Sequence, residues 1–391
     1  MNAGPPRETG RETATNGTDS RKRYCVSTLD KALTIVELLA QCQRPLSIQE
    51  IARMTEFQRV AVFRLLSTLE QRGYVQRLAN KKYYAVWQRR RLLLGYCAPL
   101  TGNSFRMDLA AGLRRAAAEA GTQLLLIDNS EEDADLCLRN AQLLIDARAD
   151  MAIMFEPLAQ IAHIVADQFF RAGIPLISVE IPVQGAVYFG ANNYHAGKLA
   201  GQVLGKFASE NWGAKFDRVV LVESSWAGAN VQARLSGVLY GLRDRLGAVV
   251  DSQVIHLDGQ SHVEASREVV SQLLSQFRVG TRLLISGFND QSAIGALQAA
   301  RGFGREQDVA IVGQNASDEG RREIRNPDSR LIASIAYFPE RYGESLVRVA
   351  QSILHRESVP PAVYTEHVVL DRHNVDTYYG RSTETGQNPK W

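Results

Sequence analysis

The sequence predicts an α/β protein in two parts: an N-terminal winged helix-turn-helix, then a two-lobed domain of doubly wound parallel sheets. Three observations predict it. Residues 47–87 read as helix, turn, helix and hairpin. From residue 91 on, short continuous apolar runs alternate with amphipathic helical stretches, the pattern of parallel strands covered on both faces. Charge is split between the parts: residues 1–90 hold 16 Lys+Arg against 8 Asp+Glu, and the rest of the 391-residue chain holds 29 against 34. A basic module on an acidic remainder is the asymmetry of a nucleic-acid-binding unit joined to another domain.

In the first part, a helix over 28–42 turns Leu29, Ala32, Leu33, Val36, Leu38 and Leu39 inward as support, and Arg44-Pro45 makes the next turn. Ser47 caps a short helix (48–54), and Glu50 three residues on completes a capping box. Ile48, Ile51 and Ala52 form its apolar stripe. Thr55-Glu56-Phe57 is a tight turn. The second helix, 58–71, has Val62, Leu65, Leu66 and Leu69 at helical spacing, and Gly73 stops it. Two β-prone runs, 74–77 and 82–86, flank Leu78-Ala79-Asn80-Lys81.

The second helix of such a unit enters the DNA major groove. Gln58, Arg59, Val60, Ala61, Phe63 and Arg64 occupy its start and the face away from the core stripe. Arg and Gln read guanine and adenine edges, and small apolar groups meet a thymine methyl. Lys81 and Lys82 sit at the hairpin tip, where a wing meets phosphate or the minor groove. The competing reading is a protein-interaction module with solvated Arg and Lys.

The same stretch resembles the DNA-binding domain of IclR-type transcription regulators over about residues 24–87. The resemblance is carried by Val26-Ser27-Thr28-Leu29-Asp30-Lys31-Ala32-Leu33, Leu46-Ser47-Ile48-Gln49-Glu50-Ile51-Ala52, Arg64-Leu65-Leu66-Ser67-Thr68-Leu69-Glu70 and Arg72-Gly73-Tyr74-Val75. It implies binding to double-stranded operator DNA. Glu56 stands where the family usually has Gly, and Val60-Ala61 where it has Ser-Thr.

At 391 residues, 45% apolar and 22% charged, the chain suits a soluble protein of more than one domain. Cys25, Cys42, Cys97 and Cys137 form no CxxC pair or metal-ligand spacing, which fits a reducing cytoplasm. Residues 1–23 read as a disordered tail without an apolar leader, and Arg21-Lys22-Arg23 within it are a basic run. No stretch has the ~18 consecutive apolar residues of a membrane span. Residues 374–391 read as a C-terminal tail.

In the second part, strands are expected at 92–96, 123–127, 151–155, 175–179, 218–222, 249–256, 282–286, 309–312, 331–335 and 363–370. Helices are expected at 105–120, 134–147, 159–172, 194–209, 231–246, 263–277, 292–301 and 340–355. So many units suggest two lobes. Ligands of such sheets bind beyond the strand C-terminal ends. Those ends carry Phe105-Arg106, Glu156-Pro157, Glu223-Ser224-Ser225, Phe288-Asn289-Asp290, Gln314-Asn315 and Tyr337-Phe338, with Arg234 a turn into the helix after residue 222. Carboxamides, an acid, arginines and rings can bond hydroxyls and stack on a flat sugar face. Each also serves as an ordinary cap or loop residue.

Residues 91–372 resemble the type I periplasmic-binding-protein fold, which is also the effector domain of LacI-type repressors. The resemblance is carried by Gly173-Ile174-Pro175-Leu176-Ile177, Asn192-Asn193, Ala196-Gly197-Lys198-Leu199-Ala200-Gly201, Arg234 before Gly237, Asn289-Asp290 before Ile294-Gly295-Ala296-Leu297, and Ala333-Ser334-Ile335 before Pro339 and Gly343. The nearest flavour is ribose-type sugar-binding proteins. On that resemblance Asn103, Phe105, Arg106, Glu156, Arg234, Asn289, Asn315 and Tyr337 contact the ligand. Asn315 stands where the family often has Asp, Tyr337 where it has Gln, and Arg106 where it has an aromatic. Such exchanges suit a less hydroxylated or an anionic ligand.

The expectation is a one-component regulator: a DNA-binding domain at 24–87, a ligand-sensing domain at 88–373, a sugar-like effector and a homodimer, because two half-sites need two recognition helices. Residues 88–91 leave no room for a LacI-type hinge helix. A sugar-binding protein or an enzyme with a fused interaction module is the alternative. No GxGxxG after a strand, GxxxxGK[ST], GxSxG or HExxH is present, and the seven histidines are scattered. No enzyme activity, cofactor, metal or membrane partner is therefore expected.

Overall fold

A computed structural model describes residues 26–42, 44–85, 92–101, 104–129, 133–225, 229–247 and 249–380. The chain divides into two units, Met1–Arg91 and Leu92–Trp391. The tail over 1–23, Trp87 and the junction at 88–91 lie outside the described residues.

The first unit contains α1 (Ser27–Cys42), β1 (Leu46–Ser47), α2 (Ile48–Thr55), α3 (Arg59–Gln71), β2 (Val75–Arg77) and β3 (Lys82–Ala85). β3 lies between β1 and β2, antiparallel to both. The capping box forms. Glu50 N–H donates to Ser47 Oγ at 3.2 Å, and Ser47 N–H donates to Glu50 Oε2 at 2.8 Å. That bond and Arg44 hold the Glu50 carboxyl down at about 2. Ile35, Val36, Leu39, Ile51, Val62, Leu66, Val75 and Tyr83 make the core. On α1 the expected stripe is corrected: Leu29 and Leu33 are exposed, and Ile35 is fully buried. Apolar residues run round more than one side of this helix, so its period alone does not select the side that packs.

The second unit has two six-stranded sheets. Its elements are β4 (Leu93–Ala98), α4 (Ser104–Glu119), β5 (Gln123–Asp128), α5 (Ala134–Asp146), β6 (Met151–Met154), α6 (Ala159–Arg171), β7 (Leu176–Val179), β8 (Val187–Gly190), α7 (Asn193–Trp212), β9 (Arg218–Glu223), α8 (Ala229–Leu246), β10 (Val254–Asp258), α9 (Val263–Gln276), β11 (Leu283–Gly287), α10 (Asp290–Gly302), β12 (Val309–Asn315), α11 (Asp318–Arg325), β13 (Leu331–Ala336), α12 (Tyr342–Leu354), β14 (Ala362–Tyr364), β15 (Val368–Asp371) and α13 (Val375–Tyr379). The first lobe's sheet runs β14-β8-β7-β6-β4-β5, and the second's runs β10-β9-β11-β12-β13-β15. Pairings are parallel except β13 with β15. Continuously buried strands such as β6, β7 and β11 are covered by helices on both faces, as their unbroken apolar sequences require.

Several elements differ from expectation. The single strand at 363–370 is two strands, β14 in the first lobe and β15 in the second. The strand expected at 249–256 is β10, preceded by a 3-10 turn at Asp251–Gln253. Strand β12 runs on to Asn315, and α7 continues to Trp212, where Gly213 caps it. Helix α11 was not anticipated, because its eight residues, DEGRREIR, carry one large apolar side chain. Residues 375–379, expected in a tail, form α13, whose Val375 is fully buried. The chain passes between the lobes at residues 190–193, 336–342 and 364–368. Among the described residues no helix is long and apolar enough to cross a membrane, no metal-binding cluster occurs, and Cys42, Cys97 and Cys137 are free.

Candidate functional site

In the first unit, α3 buries Val62, Leu66 and Leu69 and leaves its opposite face to solvent. Gln58, the N-cap, Arg59, Val60, Phe63 and Arg64 are exposed, and Ala61 is half-buried. Val60 and Phe63 are 69% and 51% exposed, too much for core residues. The β2–β3 hairpin lifts Lys81 and Lys82 to its tip, where Lys81 takes φ 60° and Lys82 N–H donates to Asn80 Oδ1. None of Arg59, Arg64, Lys81 and Lys82 ion-pairs with a described residue, so their charges are available to a phosphate backbone.

In the second unit, the strand order reverses between β4 and β6 in one lobe and between β9 and β11 in the other. The chain ends that leave these switch points are where α/β sheets take ligands. On the second lobe Arg234, from α8, is buried. Its Nε–H and Nη2–H donate to Asn193 Oδ1 at 2.9 and 2.5 Å, and its Nη1–H donates to the Phe288 carbonyl at 2.6 Å. The Phe288 and Tyr337 rings lie 4.6 and 5.5 Å from the guanidinium. Tyr337 is buried and donates its hydroxyl to Gln314 Oε1 at 2.6 Å. Burial raises that phenol's pKa.

Asn289 caps α10 through Oδ1 and donates Nδ2–H to the Ser261 carbonyl. The next residue, Asp290, is structural. Its carboxylate accepts from Ser334 Oγ–H and Ser317 N–H, each at 2.6 Å. Burial lifts it to about 6 despite those bonds. Asn315 ends β12 at φ 90°, a left-handed conformation that Asn tolerates better than most residues.

On the first lobe, Phe105 meets Phe155 and Tyr342 edge-on, with centroids 6.3 and 5.8 Å apart. Arg106 is buried in the first turn of α4, in electrostatic reach of Tyr96. Phe105, Asn289 and Asn315 share the wall of a cavity of about 30 Å³ with Asp108, Glu319 and Glu340. That cavity admits water but not a sugar without the lobes parting.

The structure thus places Phe105, Asn289 and Asn315 round one cavity, and Arg234 beside Tyr337. It directs Glu156 elsewhere: this buried acid accepts from Asn129 Nδ2–H and Leu158 N–H under the ends of β5 and β6. Asn103 lies outside the described residues. Sequence reasoning missed Glu180, which follows β7 and is half-buried. Its Oε1 accepts from the Tyr342 hydroxyl at 2.8 Å and Ala191 N–H at 3.1 Å. Burial raises its pKa, with Arg234 among the groups that oppose this. Applying the strand-end rule to β7 as to the other strands finds it. Asn193, the holder of Arg234, was quoted only as part of a motif.

A family model described as a periplasmic binding protein domain matches residues 94–358, and one described as the IclR helix-turn-helix domain matches residues 28–79. The ribose import binding protein RbsB of Salmonella typhimurium is 25% identical over 267 residues, covering 66% of this chain and 83% of that protein. The D-ribose/D-allose-binding protein of Pseudomonas aeruginosa is 22% identical over 264 residues, 64% of this chain and 79% of the relative. A periplasmic solute binding protein of an ABC transporter from Actinobacillus succinogenes, solved with bound D-allose, is 17% identical with a TM-score of 0.63, covering 74% of this chain and all of that one. The second unit has their fold. The chain belongs to the periplasmic binding protein domain family and carries an IclR helix-turn-helix domain ahead of that domain.

Proposed function

We propose that this protein is a ligand-responsive, DNA-binding transcription regulator that senses a sugar-like molecule between the two lobes. The observation that carries it is the joining, in one chain, of an exposed basic helix face to a fold whose relatives are named for ribose and D-allose. Gln58, Arg59, Val60, Ala61, Phe63 and Arg64 meet the major groove, and Lys81 and Lys82 meet the flanking backbone. Phe105, Arg106, Arg234, Asn289, Asn315 and Tyr337 line the effector site. The DNA-binding part spans 24–87. The sensing part begins at 88 and runs past 373 to include α13. Two copies act together in the cytoplasm, one per half-site. An effector that prefers one lobe arrangement shifts the population by its differential affinity.

Two measurements test this. The first is selection of duplex DNA by the full chain, followed by salt titration of the selected duplex. Replacing Lys81 and Lys82 by Ala, four phosphate contacts in the pair of copies, is expected to weaken binding and reduce the log–log salt slope by about 3.6, near 0.9 per lost phosphate contact. An unchanged slope and affinity would sink the DNA-binding half. The second is thermal shift against sugars, sugar acids and polyols, since a ligand of the folded state raises the melting temperature. A flat response across the panel would sink the sensing half.

A further inference from the structure

The last helix among the described residues, α13, touches both a crossing between the lobes and the cavity between them. It lies beyond residues 94–358, which carry the family match. It is fixed to the second lobe. Val375 is fully buried, and Arg325 of α11 donates Nε–H to Asp376 Oδ1 and Nη2–H to the Gly380 carbonyl, each at 2.7 Å. The two tyrosines of α13 rest on Phe338, in the crossing at 336–342. The Phe338 ring centroid lies 5.6 Å from that of Tyr378 and 5.9 Å from that of Tyr379, with the second pair stacked. Arg321 of α11 sits over the Tyr379 ring at 3.9 Å, and Arg341 over the Phe338 ring at 4.5 Å. Phe338 takes φ 57°, ψ 57°, a left-handed conformation that a bulky residue keeps only where its surroundings impose it.

Tyr379 is also part of the wall of the interlobe cavity. The inner wall is buried, with Phe105 and Asn289 in it. The solvent side carries exposed Ser104, Asp108 and Glu319, and Tyr379 stands with them, half-buried. Asp108 belongs to α4 of the first lobe, and its charge is within electrostatic reach of the Tyr379 phenol. The ring therefore reaches from the second lobe toward the first on the outer side of the cavity. With the ring in place, the cavity of about 30 Å³ is too small for a sugar.

We propose that Tyr379 is the gate of the effector site and α13 the arm that carries it: the ring closes the outer mouth, and an effector enters and leaves when the ring is displaced. Ring-on-ring and ring-on-cation contacts are individually weak, so Tyr379 is released without unfolding either lobe. The stack on Phe338 ties the gate to the crossing, so parting of the lobes and release of the ring favour each other. The inference rests on the sensing role proposed above and adds the residue that controls access.

Alkylation of a thiol placed in the cavity tests this on the full chain without any effector. Gln291, half-buried in the first turn of α10, lines the cavity. In a chain carrying Gln291→Cys, iodoacetamide labelling at position 291 is followed by peptide mass spectrometry, which separates it from labelling of the native cysteines. Adding Tyr379→Ala is expected to speed that labelling about tenfold or more, as the open fraction rises. Tyr379→Phe keeps the ring and is expected to leave the rate unchanged. Tyr378→Ala removes the neighbouring ring from Phe338 but not from the cavity wall, and is expected to change the rate little. An unchanged rate in Tyr379→Ala overturns the gate and leaves the sensing role intact. Equal acceleration by Tyr378→Ala also overturns it, because loosening of α13 as a whole would then be the cause. Absence of a thermal shift with every sugar of the panel defeats the sensing role, and an effector gate with it, whatever the labelling rate. If Tyr379→Ala does not fold, Tyr379→Leu takes its place.

Discussion

Glu56 shows how one backbone angle is written into a residue choice. It caps α2 at φ 59°, ψ 18°, in the left-handed region, at the turn before α3. That conformation costs a residue with a Cβ about 1–2 kcal/mol, and glycine nothing. The resembled family's glycine at this place has its physical reason here. Glu56→Gly is expected to stabilise the first unit by about 0.5–1 kcal/mol, the released strain less the extra entropy of an unfolded glycine. Amide hydrogen exchange in α2 and α3 should slow accordingly. Faster exchange would mean that the Glu56 side chain contributes more than its backbone costs.

At the scale of elements, the pair α7 and α8 sets the position of Arg234. Gly197 and Gly201 on one helix face Gly237 and Gly241 on the other. A Cβ at any of the four would overlap backbone atoms of the partner helix. The overlap at Gly197 is with the carbonyl of Arg234 itself. A methyl there cannot be absorbed by a side-chain rotation, because the obstruction is backbone. Gly197→Ala is expected to cost about 2–4 kcal/mol and to push α8, with Arg234, away from Asn193. Urea denaturation reads the first effect. Loss of effector affinity in the surviving folded fraction reads the second. A variant of unchanged stability would show that the helices can separate freely.

At the scale of the molecule, hydrogen bonds lace the crossings between lobes. Thr365 N–H donates to the Gly190 carbonyl at 2.9 Å, Asn192 N–H donates to His367 Nε2 at 2.9 Å, and Tyr342 joins Glu180 and Thr365. Gly190 suits this place, since φ 156° is a conformation that residues with a Cβ rarely adopt and the Cβ would crowd the carboxylate and Cα of Glu180. Burial, with His195 and Arg234 nearby, depresses His367 from 6.5 to about 4. Between those values the unfolded chain holds a proton that the folded chain does not. Its contribution is therefore complete above pH 6.5 and lost as pH falls toward 4, on the order of 3 kcal/mol. Asp290 acts in the opposite sense, because its carboxyl, raised to about 6, takes up a proton on folding. Comparison of His367→Gln with the unaltered chain isolates the histidine. The variant should lose less of its melting temperature between pH 7 and pH 5. Parallel curves would show that His367 titrates as it does in water.

The sequence by itself determined what depends on neighbours in the chain. The Ser47–Glu50 capping box, the α3 stripe with its exposed basic face, the buried parallel strands and the glycine stops at Gly73, Gly121 and Gly173 are local patterns, and each is present. So is the two-part architecture, because a change of hydrophobic rhythm is visible without a partner. Tertiary structure decided whatever depends on distant partners. Residues 363–370 look like one strand, since the sequence cannot say that residues 362–364 pair with β8 and residues 368–371 with β13. Leu29 and Leu33 have the apolar character of core residues, but the helices packed against α1 bury Ile35, Val36 and Leu39 instead. Arg234 was named from its place in the chain. That it is gripped by Asn193, held against Phe288 and Tyr337, and set within reach of Glu180 follows from three chain crossings that bring residues 180, 193, 234, 288 and 337 together. Hydrogen bonds and charge act over a few ångströms in space, and no spacing along the chain encodes that distance.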